Sequence, residues 1–158
     1  MQAPALHSTT IATPLGIYYV EATDDAIASA EFRKTRIRVS RSRQPLLQEA
    51  ESQVRAYFAR KLRWFDLPLQ LEGTPLQRAA WQAIYELEFG HFVSYADVAR
   101  AIGQPQAHRA VAAAMVKTPI DLLIPAHRVL GSDGRIKGAG AHSIRARLVR
   151  FENPNYSL

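Results

Sequence analysis

Apolar positions recur along this chain with two different periods. In 9–32, "TTIATPLGIYYVEATDDAIASAEF", short apolar runs stand between turn signals: Pro14-Leu15-Gly16 turns the chain into "IYYVEA", and "TDDA" separates that run from "IASAEF". The pattern predicts a short antiparallel sheet. From 46 to 60 the period lengthens. Leu47, Ala50, Val54, Tyr57 and Phe58 fall on one helical face, so an amphipathic helix follows the sheet. "FDLPLQLEG" leads out of this half and places a domain boundary near Gly73, giving domains at 1–72 and 73–158.

The second half is predicted to be helical first. Thr74 and Pro75 have the chemistry of an N-cap and a first helical residue. Leu76, Ala80, Trp81, Ile84 and Leu87 make one apolar face, and Gly90 is the expected stop. Ser94 opens the next helix, with Asp97 three residues on as a weak capping box. Val98, Ala99 and Ile102 face inward, and Gly103 ends it. Pro105 is expected to open a third helix, "QAHRAVAAAMVKT", closed by Pro119. Two short helices joined across "GQP" have the size and turn of a helix-turn-helix. "IDLLIPAHRVL" reads as strand plus loop, "GSDG" as a tight turn into "RIKGAGA", a candidate wing, and "SIRARLVRFE" as a final basic amphipathic helix. The fold class is therefore α/β (α+β): a small sheet-plus-helix domain, then a winged helix-turn-helix-like domain.

Charge sharpens this picture. The chain has 158 residues, a net charge of +6 and no Cys. Residues 1–72 carry 10 Lys/Arg against 8 Asp/Glu, whereas 100–150 carry 9 Lys/Arg against only Asp121 and Asp133. A local excess of that size favours a polyanionic partner such as nucleic acid. Residues 33–45 hold six Lys/Arg and no acid; they read as a solvated loop or edge strand, or as a phosphate-contacting arm. The absence of Cys excludes disulfides, thiolate metal sites and a Cys nucleophile. The five His residues lack HxxxH or HxH spacing, so no metal site and no cofactor are expected. No apolar run approaches the ~18–20 residues of a membrane-spanning helix, and "MQAPALHSTT" lacks the layout of a signal peptide. A soluble intracellular protein is the expectation.

The third helix carries Ala107, Ala110, Ala112, Ala113 and Ala114, which leave one flank almost without bulk. Small residues permit close helix packing in a core. They also permit close approach of a helix to a minor groove, roughly 6 Å wide. Arg109 stands in that smooth surface as a single long cation, suited to wedge into a base stack or to fill the hole left by a flipped base.

"GTPLQRAAWQAI", "GHFVSYADVARAIG", "RAVAAAM", "IPAHRVLGSDG" and "RLVRFE" resemble, in order and spacing, the O6-alkylguanine-DNA alkyltransferases, and "IATPLGIYYVEA" is similar to the opening strands of that family. The resemblance implies an α/β first domain and a DNA-binding second domain that uses the minor groove. It implies that Arg109 replaces a flipped nucleotide and that Tyr95 helps rotate the target phosphate. Ser94, Ala110, Ala113, Arg128 and Ser132 join them as expected DNA contacts. Thr118, Pro125, Ala126 and Ala139 are the expected base pocket. In the family a Cys in a Pro-Cys-His-Arg-Val motif takes the alkyl group, and a His, through water, links that thiol to a Glu; these two map to His127 and Glu152.

This chain departs from that pattern in three places. Ala126 stands where the family has its Cys, Thr118 where it has an Asn before Pro, and Ala139 where it has the Tyr of the base-pocket loop. Ala126, His127 and Glu152 are then a vestigial catalytic set. Related alkyltransferase-like proteins replace the same Cys, bind and flip O6-alkylguanine, and flag it to nucleotide excision repair. The first reading is accordingly a monomeric protein of the bacterial nucleoid or the nucleus that senses alkylated double-stranded DNA without alkyl transfer. An active alkyltransferase whose Cys was exchanged for Ala is the second. A non-DNA interaction module on the same fold is the third.

Overall fold

The computed structural model describes residues 5–33, 41–136 and 143–156. They form two compact units: Met1–Leu71 with Pro119–Leu123, and Glu72–Thr118 with Ile124–Leu158. The segment 119–123 thus groups with the first unit, although the sequence assigns it to the second half.

The first unit is built on the expected antiparallel sheet. Strands β1 (His7–Thr13), β2 (Gly16–Ala22) and β3 (Ile27–Arg33) run in the order β1-β2-β3. Gly16 makes the β1–β2 turn possible with φ +122°, in the region that favours glycine. Thr13 helps close that turn: its hydroxyl accepts from the Leu15 amide at 3.2 Å and donates to the Gly16 carbonyl at 2.6 Å. Two extended segments cover β3. The Ile27 amide donates to the Pro68 carbonyl at 2.8 Å, and the Asp121 amide to the Ala30 carbonyl at 2.9 Å. Paired in this way, β3 offers little open edge to another chain. Helix α1 (Pro45–Phe58) lays Leu47, Ala50, Val54 and Tyr57 into the core, and Gln44 caps it by accepting from the Leu47 amide at 2.8 Å. The basic stretch at 33–45 falls largely on 34–40, outside the described residues.

The second unit contains α2 (Pro75–Tyr85), the two-residue strand β4 (Val93–Ser94), α3 (Tyr95–Ala101), α4 (His108–Val116), β5 (Val129–Leu130) and α5 (Ile144–Glu152). β4 and β5 pair in parallel, Val93 with Val129 and Ser94 with Leu130. Thr74 and Gln77 make a complete capping box on α2, and Ser94 and Asp97 make another on α3. The short sequence signals were therefore sufficient to start both helices.

Two boundaries differ from expectation. Helix α2 ends at Tyr85 rather than at Gly90, because the Leu87 carbonyl and the Gly90 amide are drawn out of helical register onto buried charged side chains. Helix α4 begins at His108, not at Pro105, which sits in the preceding turn; Ala107 occupies the cap position without a side-chain bond. The candidate wing runs into 137–142, outside the described residues.

Candidate nucleic-acid interface and candidate transfer site

Helix α4 resolves the two readings of its alanines by face. Val111, Ala112, Ala114 and Met115 are buried, and Trp81 on α2 donates its indole N–H to the Ala114 carbonyl at 3.0 Å. That half of the helix is core. Arg109, Ala110 and Ala113 are exposed. Arg109 and Ala113 are four positions apart and share a face, so the long cation projects beside small side chains. No hydrogen bond or ion pair restrains the Arg109 guanidinium among the described residues.

On α3, Ser94 sits at the N-cap. Its hydroxyl oxygen accepts from the Asp97 amide at 3.0 Å, and its own amide donates to Asp97 Oδ2 at 2.9 Å. The Ser94 O–H remains able to donate. Tyr95 follows as the first helical residue, half-buried. Ser132 is exposed on the Gly131–Gly134 turn, which closes with the Gly134 amide on the Gly131 carbonyl at 2.9 Å. One residue that sequence reasoning missed steadies this turn: the Tyr156 hydroxyl donates to the Gly134 carbonyl at 2.8 Å. The Tyr156 ring packs on the small cluster of Ile136, Ala146 and Val149.

Behind this surface lies a fully buried charged group. Pro125 leads into a single 3-10 turn, Ala126–Arg128. His127 Nε2 lies 2.5 Å from Glu152 Oε2 at the end of α5. The bond is direct, where the resemblance suggests a water-linked relay from thiol to Glu. Arg128 approaches the same carboxylate with two bonds, Nε–H to Oε1 at 2.9 Å and an Nη to Oε2 at 3.0 Å, and donates its remaining arm to the Leu87 carbonyl at 2.5 Å. The Gly90 amide donates to Oε1 at 2.9 Å. Glu152 therefore accepts four hydrogen bonds while its side chain is 0% exposed.

This geometry corrects one expectation. Arg128 is 1% exposed and cannot reach DNA; its guanidinium neutralises a buried carboxylate through a two-point fork. Its place beside His127 in the sequence concealed this. The available clue was Glu152 itself, the only acid in "SIRARLVRFE".

The protonation states follow from the surroundings. Burial alone would raise the Glu152 carboxyl, but attraction and hydrogen bonding from His127, followed by Arg128, outweigh it and hold the group well below the usual carboxylate range. Burial pushes the His127 pKa down; Glu152 opposes this, and the positive charges of Arg128 and Arg145 reinforce it. A neutral imidazole beside an ionised carboxylate must carry its proton on Nε2, as donor to Glu152. With Nε2–H donated to Glu152, Nδ1 carries the lone pair through which an imidazole in such a pair can act as a base.

Ala126, where the resemblance places the nucleophile, is 3% exposed, and its methyl group cannot be alkylated by displacement. Thr118 is half-buried, and its hydroxyl oxygen is enclosed without a hydrogen-bond partner among the described residues. Ala139 lies outside the described residues.

The second unit thus sets a buried His127–Glu152–Arg128 group directly after Ala126 and an exposed Arg109–Ala113 face on α4. The family described as "6-O-methylguanine DNA methyltransferase, DNA binding domain" matches residues 75–154, and its "ribonuclease-like domain" matches residues 6–71. The methylated-DNA–protein-cysteine methyltransferase of Methanosarcina barkeri is 35% identical over 151 residues, covering 92% of this chain and 96% of that protein. The constitutive enzyme of that name from Bacillus subtilis is 35% identical over 158 residues, covering 94% and 96%. The structure of Mycobacterium tuberculosis OGT in complex with DNA superposes with a TM-score of 0.80 at 30% identity, covering 94% of this chain and 93% of that one. The chain belongs to the 6-O-methylguanine DNA methyltransferase family.

Proposed function

We propose that this protein binds duplex DNA through the minor groove and senses O6-alkylguanine without transferring the alkyl group. The observation that carries the reading is Ala126, buried at the nucleophile position within an otherwise complete His127–Glu152–Arg128 framework. The second half, from 73 onward, is the DNA-facing domain. The exposed Arg109, Ala110 and Ala113 face of α4 enters the groove, and Arg109 fills the space left by the flipped nucleotide. Ser94, Tyr95 and Ser132 contact the backbone from the N-terminus of α3 and from the Gly131–Gly134 turn. Thr118, Pro125 and Ala126 line the base pocket. The protein acts as a monomer at the DNA, in the nucleoid or nucleus, and nucleotide excision repair proteins act on the flagged site. The relatives' names and the DNA complex of a 30%-identical structure support a DNA partner.

The test is a titration against two matched duplexes, one with O6-methylguanine and one with guanine, at two salt concentrations. Tighter binding to the methylated duplex with no steeper salt dependence is expected, because base recognition adds to the phosphate contacts without displacing more counterions. Arg109→Ala should narrow that preference. Equal affinities for both duplexes would reject lesion sensing.

The intact His127–Glu152 pair favours a second reading, an alkyltransferase whose Cys was exchanged for Ala. Alkyl transfer after Ala126→Cys distinguishes a missing thiol from a pocket altered at Thr118 and Ala139 as well.

A further inference from the structure

The first unit carries a surface that the DNA reading does not use. Between Glu51 and Asp66 the chain holds four cations, Arg55, Arg60, Lys61 and Arg63, and no acid. Three of them fall just past the end of α1. There the Lys61 amide reaches back to the Ala56 carbonyl at 2.9 Å and the Arg60 amide to the Tyr57 carbonyl at 3.0 Å, with Arg60 in the left-handed region at φ +60°. This closure reverses the chain sharply. It leaves Arg60, Lys61 and Arg63 all exposed. The adjoining Trp64 is 48% exposed, while the next aromatic, Phe65, is 2% exposed and packs on Tyr57. The loop is therefore anchored from beneath by Phe65 and presents an indole among three cations. Asp66 is the nearest acid along the chain, and its backbone N–H is tied to Gln53 at 2.9 Å.

Cations at a helix C-terminus offset its dipole, and that alone would explain Arg60 or Lys61. It does not explain an exposed Trp beside them. Indole is costly to leave in water and is well suited to stack on a planar base. Interleaved cations and an aromatic ring are the elements of sequence-tolerant binding to unpaired nucleic acid, where the base faces that a duplex hides are open.

We propose that the loop 60–64 is a second nucleic-acid contact, selective for single-stranded segments, in which Trp64 stacks on a base and Arg60, Lys61 and Arg63 neutralise neighbouring phosphates. It is independent of α4 and of lesion recognition.

The test uses the full chain and an oligothymidylate. Trp81 is buried, so Trp64 is the indole that a ligand can reach. Oligothymidylate is expected to quench the fluorescence, and a Trp64→Phe variant, which keeps Trp81, to lose the quenching. Trp64→Ala should weaken binding about 5- to 100-fold, the range for removing one stacking platform. The triple variant Arg60→Gln, Lys61→Gln, Arg63→Gln, made entirely at exposed positions, should flatten the log–log salt dependence by about 2 units. Unchanged Trp64 emission at saturating oligonucleotide would overturn the proposal, as would a triple variant with an unaltered salt slope. Equal quenching by polyglutamate would also overturn it, by showing a general polyanion site without stacking. Arg109→Ala should leave Trp64 quenching intact, so failure of the lesion-sensing reading and failure of this one give different results.

Discussion

Glu152 is the residue whose replacement should cost the second unit most. Glu152→Gln preserves shape but exchanges a charged four-fold acceptor for one carbonyl oxygen and one NH2 group. If the NH2 takes the Oε2 position, His127 can shift its proton to Nδ1 and accept from it. Arg128 has no such escape: one Nη–H then faces another N–H, and its charge stays 1% exposed with no counterion. Removing one partner of a buried pair costs about 3–5 kcal/mol, set against roughly 5–15 kcal/mol for a whole protein. With a urea slope of about 2 kcal/mol/M, the midpoint should fall by about 2 M. Trp81, 2% exposed in the second unit, reports this transition in a Trp64→Phe background. Removing both charges with Arg128→Met and Glu152→Leu should recover much of the loss, since no charge is left unpaired. A midpoint shift below about 0.3 M for Glu152→Gln, or a double variant weaker than the single one, would refute the assignment of a fully desolvated ion pair.

Other expectations are equally direct. Thr118→Val keeps the branched shape and removes a hydroxyl with no partner among the described residues, so stability should rise by about 1 kcal/mol; a loss in the denaturation midpoint would mean the hydroxyl is bonded. At Gly73 an added Cβ would lie 2.7 Å from Gln77 Oε1 and 2.9 Å from the Trp81 ring. Gly73→Ala should therefore cost about 1–3 kcal/mol and shift Trp81 emission, because the capping box holds Gln77 in place. For pH, both buried groups are depressed in the fold. His127 contributes fully above its ordinary 6.5 and loses that contribution as the unfolded chain takes up a proton below it; Glu152 does the same below 4.5. The midpoint should be level above about pH 6.5, decline below it and fall further below about 4.5, with His127→Gln flattening the first decline. Ala126→Cys, which places a thiol next to the His127–Glu152 pair, should become labelled by a benzylguanine probe; an unlabelled protein, checked by intact mass, would place a second block at Thr118 or Ala139.

The sequence alone determined the local structure. Thr74 with Gln77 and Ser94 with Asp97 each cap a helix through side chains three residues apart, so no distant contact is needed to start α2 or α3. The apolar spacing of 47–57 likewise predicted the buried face of α1, and the ordered motifs identified the family. Tertiary structure decided the rest. The alanines of α4 look alike in sequence, yet Ala112 and Ala114 are core while Ala110 and Ala113 are surface, because packing against α2 and α3 defines an inside. Arg128 reads as a DNA contact until the fold brings Glu152, 24 residues away, onto its guanidinium. The end of α2 depends on the same long-range event, since the Gly90 amide is captured by a carboxylate 62 residues further along. The physical reason is desolvation: a charge closed off from water must find its partners wherever the fold supplies them, and those partners override what local propensity prefers.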